Sequence, residues 1–418
     1  VFAVTARERR GWLIVATLFV TLFVVFGGGY NTSGVFFAPM RKYFGWSSTR
    51  QSSLQTILAL TAGVTIPIFG WLLDNFEARF VMSAGIVVGG VAMLLASRAN
   101  SFGVLTLAYI GLGVSIAAST LLPNGLVIAN WFQERRGIAL GITTSGTSIG
   151  GMVMTLVAAW AIGTAGWRAG YIALALPTFL IAAPLVALTI RTRPPGEEHG
   201  AAVSANPLAA GLDLGPAMRS RSFWMIAAAQ FCYSLAGAGA TVHTVPFLIR
   251  SGFSPEHAAQ VFSVTFGLAS AGKFLMGYGA DRLSGRVALG LTMAVGAAGQ
   301  ILLLGARGNL MLGGYALIYG TMSGAPLALI PMVIAESFGL KRFGSVSGLT
   351  GIFITLGGAT GPLLGGLIVD SGLGYPAVFA LFAAALAAGA VAALACSPLE
   401  TGPALAPQGR GEGHSVLM

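Results

Sequence analysis

The chain has 418 residues, 55% of them hydrophobic and 9% charged, with a formal net charge of +10. An average soluble chain is about 25% charged, so this composition excludes an ordinary soluble enzyme and points to a polytopic membrane protein. The Lys and Arg residues lie in short connectors between apolar runs and form no continuous basic face. That pattern argues against a nucleic-acid partner and matches the positive-inside bias of membrane proteins.

The N-terminal "VFAVTARERRGW" is a short basic lead into an apolar run of transmembrane length, with no cleavable signal peptide evident. Apolar runs then predict six helices near 12–40, 50–74, 79–98, 102–130, 136–163 and 167–190. A segment rich in Pro, Gly, Ala and charge follows over 191–221, read as a cytoplasmic linker with room for one short surface helix. Six more helices are predicted near 222–250, 256–281, 286–305, 309–336, 341–370 and 374–396. The Pro- and Gly-containing tail, 397–418, is expected to be disordered and cytoplasmic. The predicted fold class is all-α, with twelve transmembrane helices in two six-helix halves, 1–190 and 222–396. Cys232 and Cys396 fall inside apolar runs and read as small core residues.

The halves repeat each other. "GWLLDNFEAR" matches "GYGADRLSGR", Asp74 to Asp281, at an offset of 207; Arg136 matches Arg342 at 206, and Trp167 matches Tyr375 at 208. A parallel repeat of this kind marks transporters whose substrate site lies at midplane between the halves. Orientation follows from charge: with the N-terminus inside, fifteen Lys and Arg fall on the cytoplasmic side and seven opposite, which puts both termini in the cytoplasm.

Several motifs carry a family resemblance. The Gly-x-x-x-Asp-Arg/Asn loops after the second and eighth helices resemble those of the major facilitator superfamily. "NWFQERRGIALGITTSGTSIGG", "SGVFFAPMRKYFGWSSTRQS" and "VHTVPFLIRSGFSPEHAAQVFS" are similar to segments of the monocarboxylate porters and their oxalate/formate antiporter relatives, the last to the bacterial members. The resemblance spans roughly residues 10–395. It implies a bacterial-type inner membrane protein working as a monomer by alternating access, with an organic anion and protons as partners.

Within the loops, Asp74 and Asp281 sit where helices end, so their carboxylates can meet Arg79, Arg282 or Arg286 or cap the next helix. With Glu134, Arg135 and Arg136 they are assigned to a cytoplasmic gate, against the alternative of solvated loops. Lys273 lies eight residues before Asp281, roughly 12 Å deep at about 1.5 Å per residue, beyond the reach of a snorkelling side chain of about 6 Å. A charge at that depth faces a watery cavity or an anion; the alternative is a structural lysine. The resemblance aligns "GKFLMG" with a helix-eight motif whose arginine binds the substrate carboxylate. Lysine replaces that planar fork with a point charge and is itself a candidate for proton release. Relatives also carry an Asp where this chain has Ala269, so their carboxylate relay does not transfer.

His243 is either a hydrogen-bonded core residue or a substrate ligand and proton carrier; a His-x-x-Pro pattern in bacterial relatives favours the second. "GGGYNTSG" places Tyr30 and Asn31 on an easily deformed segment, and Asn124 follows Pro123, which suggests a bend. Tyr30, Asn31, Asn124 and Tyr233 are further candidate ligands, while Gln230, Ser145 and Tyr319 read mainly as packing. Leu121 and Leu327 stand where relatives often carry cavity tyrosines, which favours a bulkier or more apolar acid. The glycine-rich stretches read as helix-packing faces. No metal-ligand cluster, catalytic triad or paired carboxylate appears in the sequence, so no enzyme is expected, and no cofactor beyond the proton gradient.

Together these features predict a secondary active transporter of small organic monocarboxylates, proton-coupled, with Lys273, His243 and Asn31 around the anion. The alternatives are an organic anion exchanger of the oxalate/formate type and a non-transporting membrane sensor. A dicarboxylate would need two compensating charges where only Lys273 is available.

Overall fold

In hydrocarbon a backbone can satisfy its N–H and C=O groups only internally, so each apolar run becomes a helix. The computed structural model describes residues 6–132, 135–194, 212–280, 283–306, 308–339 and 342–397, with backbone alone at 6, 7, 74, 136, 274, 276–280 and 344. The long helices of the first half are α1 (Glu8–Phe44), α2 (Ser48–Asn75), α3 (Ala78–Ser97), α4 (Phe102–Trp131), α5 (Arg136–Ala165) and α6 (Trp167–Thr189). Those of the second are α7 (Arg221–Arg250), α8 (Pro255–Ala280), α9 (Gly285–Leu304), α10 (Asn309–Phe338), α11 (Phe343–Asp370) and α12 (Gly374–Leu394). Each lies within four residues of its predicted bounds, and a short helix, Leu214–Arg219, occupies the linker. Among the described residues, eleven are long and apolar enough to cross a membrane; the other is α8, whose 26 residues include Lys273.

Local sequence explains the ends and the interruptions. Ser47, Ser101 and Ser220 cap α2, α4 and α7 through their side-chain oxygens. The glycine-rich part of α1 ends in a turn over Tyr30–Thr32 before the helix resumes at Ser33. In α4 the ladder breaks between Ser119 and Leu121, because the Pro123 ring has no N–H for the Ser119 carbonyl and crowds it. The expected bend is therefore a break one turn ahead of the proline. The second half repeats the device: α10 is interrupted at Gly324–Ala325, just before Pro326.

The halves pack alike. α1 lies on α5 as α7 lies on α11, and α3 pairs with α6 as α9 pairs with α12. Gly150 and Gly361 make the first pair of contacts possible, since a Cβ at either would collide with backbone, of Phe23 and Leu235 respectively. Between the halves the main contacts run along α1–α7, α2–α11 and α5–α8. The described chain ends, near Glu8 and Ser397, share one side of the bundle, called here the terminal side; the opposite side is distal.

Candidate functional site

Lys273 is buried on α8 at the seam between the halves, 9% exposed. Its Nζ donates to the Thr144 carbonyl and to Thr147 Oγ1 of α5, both at 2.9 Å. Among the described residues no carboxylate forms an ion pair with it. Asn31, on the turn inside α1, donates through Nδ2 to the Thr147 carbonyl at 2.9 Å. Gly151, one turn further along α5, leaves room for both the Asn31 amide and the Phe266 ring. Asn31, Thr147 and Lys273 thus form one polar cluster contributed by α1, α5 and α8.

Two other candidates stand in the same central region. Tyr30 stacks on Phe26 with centroids 5.0 Å apart, and its hydroxyl faces Gly358 on α11. Gln55 lies beside that hydroxyl, yet its carboxamide makes no hydrogen bond of acceptable geometry. Tyr233 donates to the Ser323 carbonyl at 2.9 Å, tying α7 to the interruption in α10. Leu121 and Leu327 are 43% and 41% exposed. The Asn124 carboxamide is buried without a partner, and no described contact links it to the Lys273 cluster. Gln230 donates to Thr350, Ser145 bonds within its own helix, and Tyr319 stacks on Tyr315.

His243 lies elsewhere. It is seven residues from the distal end of α7, whereas Lys273 is eighteen from the distal end of α8. At about 1.5 Å per residue that puts them roughly 10 and 27 Å below the distal face. The His243 ring is fully buried among Phe37, Tyr375 and Phe382, with Nε2 3.0 Å from the Pro362 carbonyl and 3.4 Å from Ser52 Oγ. The expectation that His243 joins Lys273 and Asn31 around one anion does not match this arrangement: His243 belongs to the distal closure.

That closure contains a residue the sequence reading missed. Asp370, the last residue of α11, accepts from the Ser48 and Thr49 amides at 2.9 and 2.7 Å and from Thr49 Oγ1 at 2.6 Å. A carboxylate at a helix C-terminus opposes its own helix dipole, a signal that it has an outside partner. Here the partner is the N-terminus of α2, in the other half. Thr56 Oγ1 to the Ala359 carbonyl (2.6 Å) and Ser263 Oγ to the Met152 carbonyl (2.7 Å) extend the seam inward. These hydrogen bonds between the halves lie between the distal face and the level of Lys273.

On the terminal side, Glu134, Asp281 and Arg282 lie outside the described residues, as do the side chains of Asp74 and Arg136. Arg135 is exposed. Arg79 lies over the Phe80 ring at 4.6 Å, and Arg286 donates to the Cys396 carbonyl at 2.9 Å within its own half. Neither bridges the halves. Glu336, also missed, accepts from the Gly285 amide at 2.8 and 3.0 Å and so caps α9.

Two six-helix halves, hydrogen-bonded to each other on the distal side and holding a buried lysine at their seam, define a membrane carrier. The chain belongs to the Major Facilitator Superfamily, whose model matches residues 18–358 and 261–418. It is 28% identical over 388 residues to monocarboxylate transporter 13 of Rattus norvegicus, covering 91% of this chain and 87% of that protein. It is 27% identical over 374 residues to an MFS-type transporter of Gibberella moniliformis, covering 87% and 84%. Among solved structures, a bacterial homologue of the human lysosomal transporter Spinster, inward-facing and unoccupied, matches with a TM-score of 0.70 at 20% identity, over 93% of this chain and 94% of that one. That last likeness is one of fold.

Proposed function

We propose that this carrier transports small organic monocarboxylates together with protons, by alternating access. The observation that carries the reading is Lys273, a buried ammonium at the seam whose described partners are neutral oxygens. A carboxylate is the simplest ligand that neutralises such a charge, and hydrogen bonds between ionised partners are about twice as strong as neutral ones. Asn31 and Tyr30 supply further polar contacts, and the exposed Leu121 and Leu327 leave an apolar wall suited to a bulkier acid. Similarity to monocarboxylate transporter 13 supports the substrate class.

Proton coupling is assigned to Lys273 at the anion and to His243 within the distal closure. With both termini in the cytoplasm of a bacterial-type inner membrane, the terminal side faces inward, and Asp74, Asp281 and the neighbouring arginines close it in one state of the cycle. The test is uptake of radiolabelled lactate and phenyllactate by purified protein in proteoliposomes, with and without an inward proton gradient. Lys273→Gln is expected to abolish saturable uptake at unchanged expression, and the gradient to accelerate wild-type uptake. Near-normal transport by Lys273→Gln overturns the reading; gradient-independent uptake that needs internal substrate marks an exchanger.

A further inference from the structure

Lys273 does not stand free. Its ammonium belongs to the second half, while both of its oxygen partners belong to α5 of the first. The bond is therefore a tether across the seam, and of the described hydrogen bonds between the halves it lies furthest toward the terminal side. The next along α5–α8 is Ser263 to Met152.

The perch is built. Thr147 Oγ1 donates its own proton back to the Thr144 carbonyl at 2.8 Å, so a lone pair is left for the ammonium. Asn31 holds the Thr147 carbonyl from the other side. Thr144 and Thr147 thus present two neutral oxygens, 2.8 Å apart, to the Nζ that a carboxylate would meet with charged ones. Resting on the monocarboxylate reading above, we propose that this turn of α5 is a stand-in ligand for Lys273, positioned by Thr147, and that an arriving carboxylate displaces it. The direction follows from strength: an ammonium exchanges neutral oxygens for a carboxylate at a gain. Substrate binding then removes the tether between α5 and α8, and the same event that loads the carrier frees its halves to move.

Thr147 is a positioning residue, and its removal has an effect that a merely structural threonine would not have. Thr147→Val keeps the shape and removes the competing oxygen. Losing one hydrogen bond to a charged group, part of which Thr144 recovers, is expected to raise carboxylate affinity about three- to tenfold. Thr147→Ser should restore wild-type affinity. Binding of lactate and phenyllactate to the purified carrier gives the first readout. Amide hydrogen exchange of the α5 peptide 141–151 gives the second: carboxylate should speed exchange in the wild type, and Thr147→Val should be fast without it.

Elution profile and melting temperature identify a misfolded variant, in which case Thr147→Ala against Thr147→Ser carries the comparison. Unchanged affinity and exchange in Thr147→Val, or slower exchange in the wild type on adding carboxylate, overturns the proposal. If neither acid binds the wild type, the carboxylate reading falls and the displacement with it; fast exchange in Thr147→Val would then still mark the tether.

Discussion

At the scale of single residues, the central region divides into groups that hold a charge and groups that shape a space. On the function proposed above, Leu121 and Leu327 belong to the second kind. Leu121→Tyr returns a hydroxyl to the cavity wall, and one hydrogen bond contributes about 0.5–1.5 kcal/mol. Competition assays should then show selectivity moving toward small hydroxy acids and away from aromatic ones by about three- to tenfold. His243 is predicted to behave otherwise, because its ring packs against Phe37 and Phe382 and touches no member of the Lys273 cluster. His243→Gln should lower stability by about 1–3 kcal/mol, as buried substitutions do, and reduce maximal uptake while KM changes less than twofold. A KM rise as large as that of a site variant would return His243 to the anion.

Whole elements are governed by their ends and interruptions. Asp370 gains on α2 what it loses on α11: its carboxylate sits at the wrong end of its own helix and at the right end of the other. Losing a cap of this kind costs about 1–2 kcal/mol, and about 1.4 kcal/mol is tenfold in an equilibrium. Asp370→Ala should therefore shift the carrier toward its distally open state by about five- to thirtyfold. The check is thiol labelling at Ser52→Cys, buried in the distal closure, in a background with Cys232 and Cys396 replaced by Ser. A membrane-impermeant reagent added from the distal side should label it faster in the variant, and unchanged labelling would remove Asp370 from the gate. The interruptions in α4 and α10 supply the flexible points on the facing walls; each precedes a proline that withholds an N–H from the turn before it.

For the molecule as a whole, function requires each half to stay rigid while the seam opens. Close glycine contacts hold α1 on α5 and α7 on α11, and hydrogen bonds of modest strength cross the seam. Gly150→Leu is expected to eliminate folded carrier in size-exclusion profiles, since its side chain meets the Phe23 backbone. Gly141→Ala, with nothing within 4 Å of its added carbon, should leave melting unchanged or raise it, because Ala in a helix interior is favoured over Gly by about 0.5–1 kcal/mol.

Much of this was legible in the sequence, for a physical reason. The bilayer forces each apolar run to satisfy its own backbone, so helix number, bounds and breaks are set by residues near one another in the chain. The repeated Asp74 and Asp281 loops likewise made the two-half organisation visible. The membrane depth of Lys273 was legible too, although where a watery cavity was expected the side chain is 9% exposed and held by oxygens of α5; the weak points of α1 and α4 followed from "GGGYNTSG" and Pro123. What only the tertiary structure decided is which side chains meet. Lys273 and Thr147 are 126 positions apart, and Asp370 and Ser48 are 322 apart. Each such meeting depends on helix rotation, where one residue turns the side chain by about 100°. That rotation placed Asn31 with Lys273, turned His243 toward Ser52 and Pro362, and gave the buried lysine the oxygens of α5.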